Sequence, residues 1–274
     1  MKNVGIVRHA LNAFNSRWFY PLHLKGSKWK RTGRAIQAFF AALFLFFSFH
    51  ASAEKVLDVE PIMQKTGSWC WLASAAMVLT YYGMPTVNPS GDYQCGLAGL
   101  LDATVDWHGG YNPGPCDRNC WVCGHETSGP FFRIAKAVSE YPKYASAFFR
   151  SNGRNLNHNW PRTVNYEIGR DLSWETLVSE IDEGRPIIIG ISPGRYLPPG
   201  LAQHAVVIVG YEGGQEDPEV IINDPYDYSG LPDPYTVNGG SKDPKVMGRY
   251  SIPLAALVRE LGWNTSIYRL EPKY

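Results

Sequence analysis

The stretch that decides the fold runs from Gln64 to Trp71, QKTGSWCW, and continues as LASAAMVLTYY to Tyr82. One cysteine stands between two tryptophans, directly ahead of a run rich in Ala, Leu and Met. That run predicts a helix over 70–82, stopped at Gly83-Met84-Pro85. A helix beginning at Cys70 would turn its unpaired N–H groups and positive dipole end toward the sulfur, which favours the thiolate. Gly67 and Ser68 let the backbone there approach a second molecule closely. Four roles are open to Cys70: core packing, half of a disulfide, a metal ligand or a nucleophile.

The chain around it narrows the choice. Residues 1–53 carry eight Lys or Arg and no acid, then the uncharged run AIQAFFAALFLFFSF at 35–49, then ASA at 51–53. A basic flank, a short apolar run and a small-x-small site predict a secretory signal peptide over 1–53. The alternative is an uncleaved signal anchor, although the apolar run falls short of the roughly 20 residues that span a bilayer as a helix. Either way the expected location is outside the cytoplasm, periplasmic or secreted. Eight of the 26 basic residues lie in that segment, so 18 face all 25 acids in 54–274. A net charge near −7 there argues against a nucleic-acid partner, which would call for a basic face.

All five cysteines lie beyond the signal: Cys70, Cys95, Cys116, Cys120 and Cys123. An odd count in an exported chain predicts two disulfides and one free thiol. Cys95, Cys116, Cys120 and Cys123 cluster in a Gly-, Pro-, Asn- and Asp-rich insert over about 88–125, expected to be loop-dominated and stapled. With His125 they could also hold a structural zinc, but the exported setting favours disulfides, so no metal and no cofactor is expected.

A second helix is predicted over 128–142, with Pro130 in its first turn and Pro142 ending it. Residues 150–166 read as polar and irregular. SWETLVSEIDEG at 173–184 predicts a helix capped by Ser173 and stopped by Gly184. The β-branched runs RPIIIGIS (185–192), QHAVVIVGYEG (203–213) and EVIINDP (219–225) predict buried strands. After a loop of about twenty residues, RYSIP and TSIYRL add two more strands around the short helix LAALVREL. A helical first half and a sheet-forming second half make the fold class α+β.

A thiol nucleophile needs a base, the base needs an orienting acceptor, and the developing oxyanion needs donors. Beyond the signal the histidines are His108, His125, His158 and His204. Only His204 opens an apolar strand, where a base would be rigidly held. On the next strand of the expected hairpin, Asn223 and Asp224 fall where a side chain can reach back to it.

The order Gln64, Cys70 at a helix start, His204 on a strand and then an Asx residue resembles the papain-like cysteine peptidases. QHAVVIVGYEG and VIINDP are similar to the bacterial peptidases that remove double-glycine leaders and to their stand-alone relatives. PIMQKTGSWCWLASAAMVLTYYG resembles a papain-like branch that includes secreted bacterial virulence proteases. The resemblance covers roughly 58–270, with the insert outside it. It implies a two-lobed papain-like fold, with Cys70 on the helical lobe and His204 and Asp224 on an antiparallel sheet lobe. It implies Cys70 as nucleophile, His204 as general base and acid, Asp224 as orienting residue with Asn223 in reserve, and the Gln64 amide in the oxyanion hole. Leader removal itself is not carried over, because this chain shows no transporter segment or ATP-binding loop. Trp69 is a candidate for the substrate groove, and Trp71 is expected in the core. The expected partner is a protein or peptide substrate, with no stable membrane partner unless the signal stays attached. Two other classes compete: a transglutaminase, deamidase or other acyltransferase on the same triad, and a non-catalytic binding module on a peptidase fold.

Overall fold

Strands dominate the second half of the chain, as its β-branched runs require. The computed structural model describes residues 54–88, 91–102, 104–105, 111–112, 131–153, 160–197 and 202–274. The expected signal segment 1–53, together with His108, Cys116, Cys120, Cys123, His125 and His158, lies outside the described residues. In chain order the strands are β1 (Glu54–Val56), β2 (Thr104–Val105), β3 (Tyr111–Asn112), β4 (Thr163–Gly169), β5 (Ile187–Ile191), β6 (His204–Glu212), β7 (Glu219–Asn223), β8 (Ser241–Lys242), β9 (Arg249–Pro253) and β10 (Thr265–Lys273). The helices are α1 (Cys70–Tyr81), α2 (Tyr93–Asp102), α3 (Phe131–Ser151), α4 (Trp174–Asp182), α5 (Pro234–Val237) and α6 (Leu254–Arg259).

The main sheet is ordered β4-β10-β5-β6-β7-β9-β8, with β1 also paired to β6. Its pairs are antiparallel. The fold is therefore α+β, with helices set against an antiparallel sheet. β5 and β6 are central and buried along nearly their whole length, which explains why they read as continuous apolar runs and not as alternating ones. Helix α1 is buried from Trp71 to Leu79 without a break and packs against β6. A helix apolar all round belongs inside a core, and here it brings its first residue, Cys70, up to the first residues of β6. Helix α4 starts on Ser173, whose side chain accepts from the Thr176 N–H, and stops at Gly184 with φ +75°.

Three local expectations need correction. Pro142 does not end the second helix; α3 continues through it to Ser151. Proline removes one helical hydrogen bond but its fixed φ is helical, and the buried stripe Ile134, Val138, Tyr141, Ala145 and Phe149 runs past it. The insert is not loop from its start, because α2 occupies 93–102. The Asp92 carboxylate accepts from the Cys95 N–H at 3.1 Å, and Gly96 lets the helix lie against the backbone of Asn88. The region 150–166 gives way to β4 at Thr163, which pairs with β10 at the sheet edge.

Candidate active site

Strand pairing brings His204 and Asp224 together. In the β6–β7 hairpin Val207 lies opposite Asn223, so Asp224 lies level with Val206 and diagonal to His204. Side chains alternate faces along a strand, so His204, Val206 and Asp224 share one face and Asn223 takes the other. The His204 Nε2–H donates to Asp224 Oδ1 at 2.6 Å, with both residues buried. Asn223 is used elsewhere: its Nδ2 donates to the Val59 carbonyl at 2.7 Å and its Oδ1 accepts from Arg249 Nε at 2.9 Å. Asp224, not the reserve residue Asn223, is the partner of His204.

With Nε2 on Asp224, the other ring nitrogen of His204 is left for Cys70, and the two side chains interact so that each shifts the other's pKa. The Ala205 N–H also helps to lower the Cys70 pKa. One turn along α1, the buried Ser74 hydroxyl donates to the Ala205 carbonyl at 3.0 Å. Helix α1 and strand β6 are thus joined at both Cys70 and Ser74. Trp69, the N-cap residue, places no side-chain acceptor on the first turn, and no acid lies there. The N–H groups at the helix start remain available to a negative sulfur.

The electrostatics favour a charged pair. Burial would push the Cys70 thiol up, but the hydrogen bond and charge of His204, with the Ala205 N–H, outweigh it and hold the thiol below its ordinary value. Burial likewise opposes a charge on His204. The Asp224 carboxylate and Cys70 overcome this and raise the imidazole to about 10. Between those two limits the stable form is thiolate with imidazolium. Cys70 itself is only partly buried and is a free thiol.

Asp224 has a supporting shell that sequence reasoning missed. Its Oδ1 also accepts from the Tyr226 N–H at 2.7 Å, and its Oδ2 accepts from the Tyr235 hydroxyl at 2.7 Å and the Tyr228 hydroxyl at 3.1 Å. Burial and the Asp224 charge push both of these phenols far up, so they stay protonated donors. Tyr226 meets the His204 ring edge to face at 6.2 Å, and Tyr235 stacks on Tyr250 at 4.6 Å. The one available signal was local: Tyr226 and Tyr228 alternate directly after Asp224-Pro225.

Gln64 lies six residues before the helix start. Its Nε2 donates to the Thr66 carbonyl at 2.8 Å, and the same carbonyl accepts from the Trp69 N–H at 3.2 Å. The amide is therefore tied to the turn that leads into Cys70, with its second N–H left for another acceptor. Its Oε1 is buried without a hydrogen-bond partner. The Gln64 backbone N–H donates to the Pro225 carbonyl at 2.8 Å, linking it to the residue after Asp224. Trp69 does not fit the expected place in a groove. It has no exposed surface and belongs to the core cluster, as Trp71 does. Among the described residues no group of acids, histidines and cysteines could hold a metal ion.

A family model described as "Peptidase_C39 like family" matches residues 56–246. No curated protein sequence matches the chain. Among solved structures, one reported as a C39-like peptidase from Bacillus anthracis is 17% identical, covers 81% of this chain and 100% of its own, and has a TM-score of 0.39. A chain from a study of the mite allergens Blo t 1 and Der p 1 is 14% identical, covers 76% of this chain and 66% of its own, and has a TM-score of 0.38.

Proposed function

Because the chain belongs to the peptidase C39-like family, we propose that it is a cysteine peptidase acting through Cys70, His204 and Asp224. One observation carries this reading: a partly exposed thiol at a helix start, its pKa lowered by a buried histidine that is itself fixed on a buried carboxylate. Each member has the property its task requires. The lowered Cys70 pKa favours the thiolate, and the raised His204 pKa keeps a proton for the leaving amine.

The thiolate attacks a peptide carbonyl. The Cys70 N–H and the free N–H of the Gln64 amide stabilise the oxyanion, and a donor of this kind is worth roughly 10²–10³ in kcat in comparable sites. His204 then passes its proton to the departing amine, leaving an acyl-thioester on Cys70. In the second half His204, now neutral, takes a proton from water, and the hydroxide released onto the carbonyl frees the product acid. No cofactor takes part in these steps. The substrate is a protein or peptide met outside the cytoplasm, since residues 1–53 have the composition of an export signal. The cysteines of the 88–125 insert act there as disulfide staples of the 54–274 peptidase domain.

Incubating the full chain and its Cys70→Ala variant with a mixed peptide library, read by mass spectrometry, tests this directly. The wild type should produce new carboxyl termini and the variant none. Turnover that survives in Cys70→Ala, or Cys70 that resists iodoacetamide at neutral pH, defeats the peptidase reading. Amine adducts in place of free carboxylates would move it to acyl transfer.

A further inference from the structure

An oxyanion donor works only while it is held in position, since a displacement of about 1 Å can cost on the order of 10²-fold in rate. Resting on the proposed oxyanion role of Gln64, we infer that Gln94 is the positioning residue for that donor. Gln94 lies on α2, in the insert that falls outside the papain-like pattern, and only 2% of its surface is exposed. Its Nε2 donates to the Met63 carbonyl at 2.7 Å, and its Oε1 accepts from the Lys65 N–H at 3.1 Å. Those two backbone groups belong to the residues on either side of Gln64.

The pattern is that of a strand partner. In an extended segment the carbonyl of one residue and the N–H of the residue two further on face the same edge, while the residue between them faces the other edge. Gln94 takes the first edge with a single side chain. The Gln64 N–H points the opposite way, to the Pro225 carbonyl. Gripped from both edges, the Gln64 backbone cannot roll about its own axis, so the direction of its side chain is fixed. Lys65 also pairs with Asp92, the residue that caps the start of α2. The insert helix and the oxyanion segment are therefore one mechanical piece, and Gln94 joins them while remaining outside the reacting atoms.

Two reactions of Cys70 separate this role from a merely structural one. Acylation by p-nitrophenyl acetate passes through an oxyanion; alkylation by iodoacetamide does not. In the full chain, Gln94→Leu keeps the side-chain volume and removes both bonds. It should slow acylation roughly tenfold or more while alkylation stays within about twofold of wild type. Gln94→Glu retains the acceptor for the Lys65 N–H, loses the donor to Met63, and should fall between the two. It also serves if the Leu variant proves unfolded by its melting curve. Combining Gln94→Leu with Gln64→Ala should be no slower than Gln64→Ala alone, because Gln94 acts only through Gln64. Wild-type acylation in both Gln94 variants, equal loss of acylation and alkylation, or multiplying losses in the double variant would each overturn the inference. The two levels fail differently. If Gln64→Ala acylates normally, the oxyanion role of Gln64 is lost and the role of Gln94 goes with it. If Gln64→Ala is slow and both Gln94 variants are not, only the role of Gln94 is lost.

Discussion

In one part of the site the Asp224 carboxylate is fully buried and accepts four hydrogen bonds, from His204, Tyr226, Tyr228 and Tyr235. In the other, Gln64 is half-buried, keeps an unpartnered oxygen and an uncommitted N–H, and is held mainly through its backbone. The contrast follows from when each charge exists. The carboxylate and the imidazolium are present before any substrate arrives, and a buried permanent charge is tolerable only with its full set of partners. The oxyanion exists only in passing. Its donor must keep an N–H unspent in the resting state, so rigidity has to come from the main chain beneath it. Saturated bonding in one part and external bracing in the other are two answers to two lifetimes of charge.

The largest effect that could break this comparison comes from Asp224→Asn, which keeps the shape and removes the charge. Turnover should fall by about 10²- to 10⁴-fold, the usual worth of acid–base catalysis. The pH profile makes the sharper test. The rate needs His204 protonated, so the alkaline limb in the wild type should lie near 10, where that proton is lost. The acid limb should lie below the ordinary thiol value, because His204 lowers the Cys70 pKa. Asp224 raises the His204 pKa, so the Asn variant should bring the alkaline limb down toward neutral pH. An unmoved limb would mean that some other charge holds the imidazolium.

The two parts of the site were also unequally legible in the sequence. Cys70 and His204 stood out because each sits at a position marked by a strong local pattern, the first residue of an Ala- and Leu-rich helix and the first of an apolar strand, whereas the choice of Asp224 over Asn223 came from the resemblance to the double-glycine-leader peptidases. Local pattern also made the sheet legible, as far as β5, β6, β7, β9 and β10. What supports the site was not. Tyr235 reaches Asp224 only because a short helix at 234–237 folds back after a Gly- and Pro-rich loop, and no periodicity announces that return. Gln94 sits in a stretch whose glycines suggested a loop, yet Gly96 serves close helix packing. Strands β1 and β4 were overlooked because the sheet, and not their own composition, makes them strands. Pro142 misled in the opposite direction, since burial on either side of it outweighed one missing bond. Trp69 drew attention as an aromatic beside a nucleophile, but its surface is spent entirely in the core.

An intermediate effect should come from the phenols that complete the carboxylate. Tyr235→Phe removes the 2.7 Å donor and should cost about 1.5–3 kcal/mol in urea unfolding, the range for a hydrogen bond to a charged group. Tyr228→Phe removes the longer 3.1 Å bond and should cost less. The ranking matters more than either value. If the two variants are equally harmless, Asp224 does not need its full shell, and the explanation from permanent charge fails even with the triad intact.

The smallest effect belongs to Ser74. Its hydroxyl joins α1 to β6 one turn from the nucleophile, and both it and the carbonyl it reaches are buried. Two accounts of this bond predict different things. As a stabilising contact, its loss in Ser74→Ala should cost about 0.5–1.5 kcal/mol, seen as a lower urea midpoint at unchanged slope. Cys70 would then be alkylated at nearly the wild-type rate, because His204 and the Ala205 N–H still hold the sulfur. As an alignment device, its loss would slow alkylation in proportion to the lost contact between thiol and imidazole, whatever happened to stability. The geometry favours the first account. Cys70 has its own two attachments to β6, and α1 is locked by nine consecutive buried residues. One hydroxyl added to that packing can deepen the well without moving its minimum.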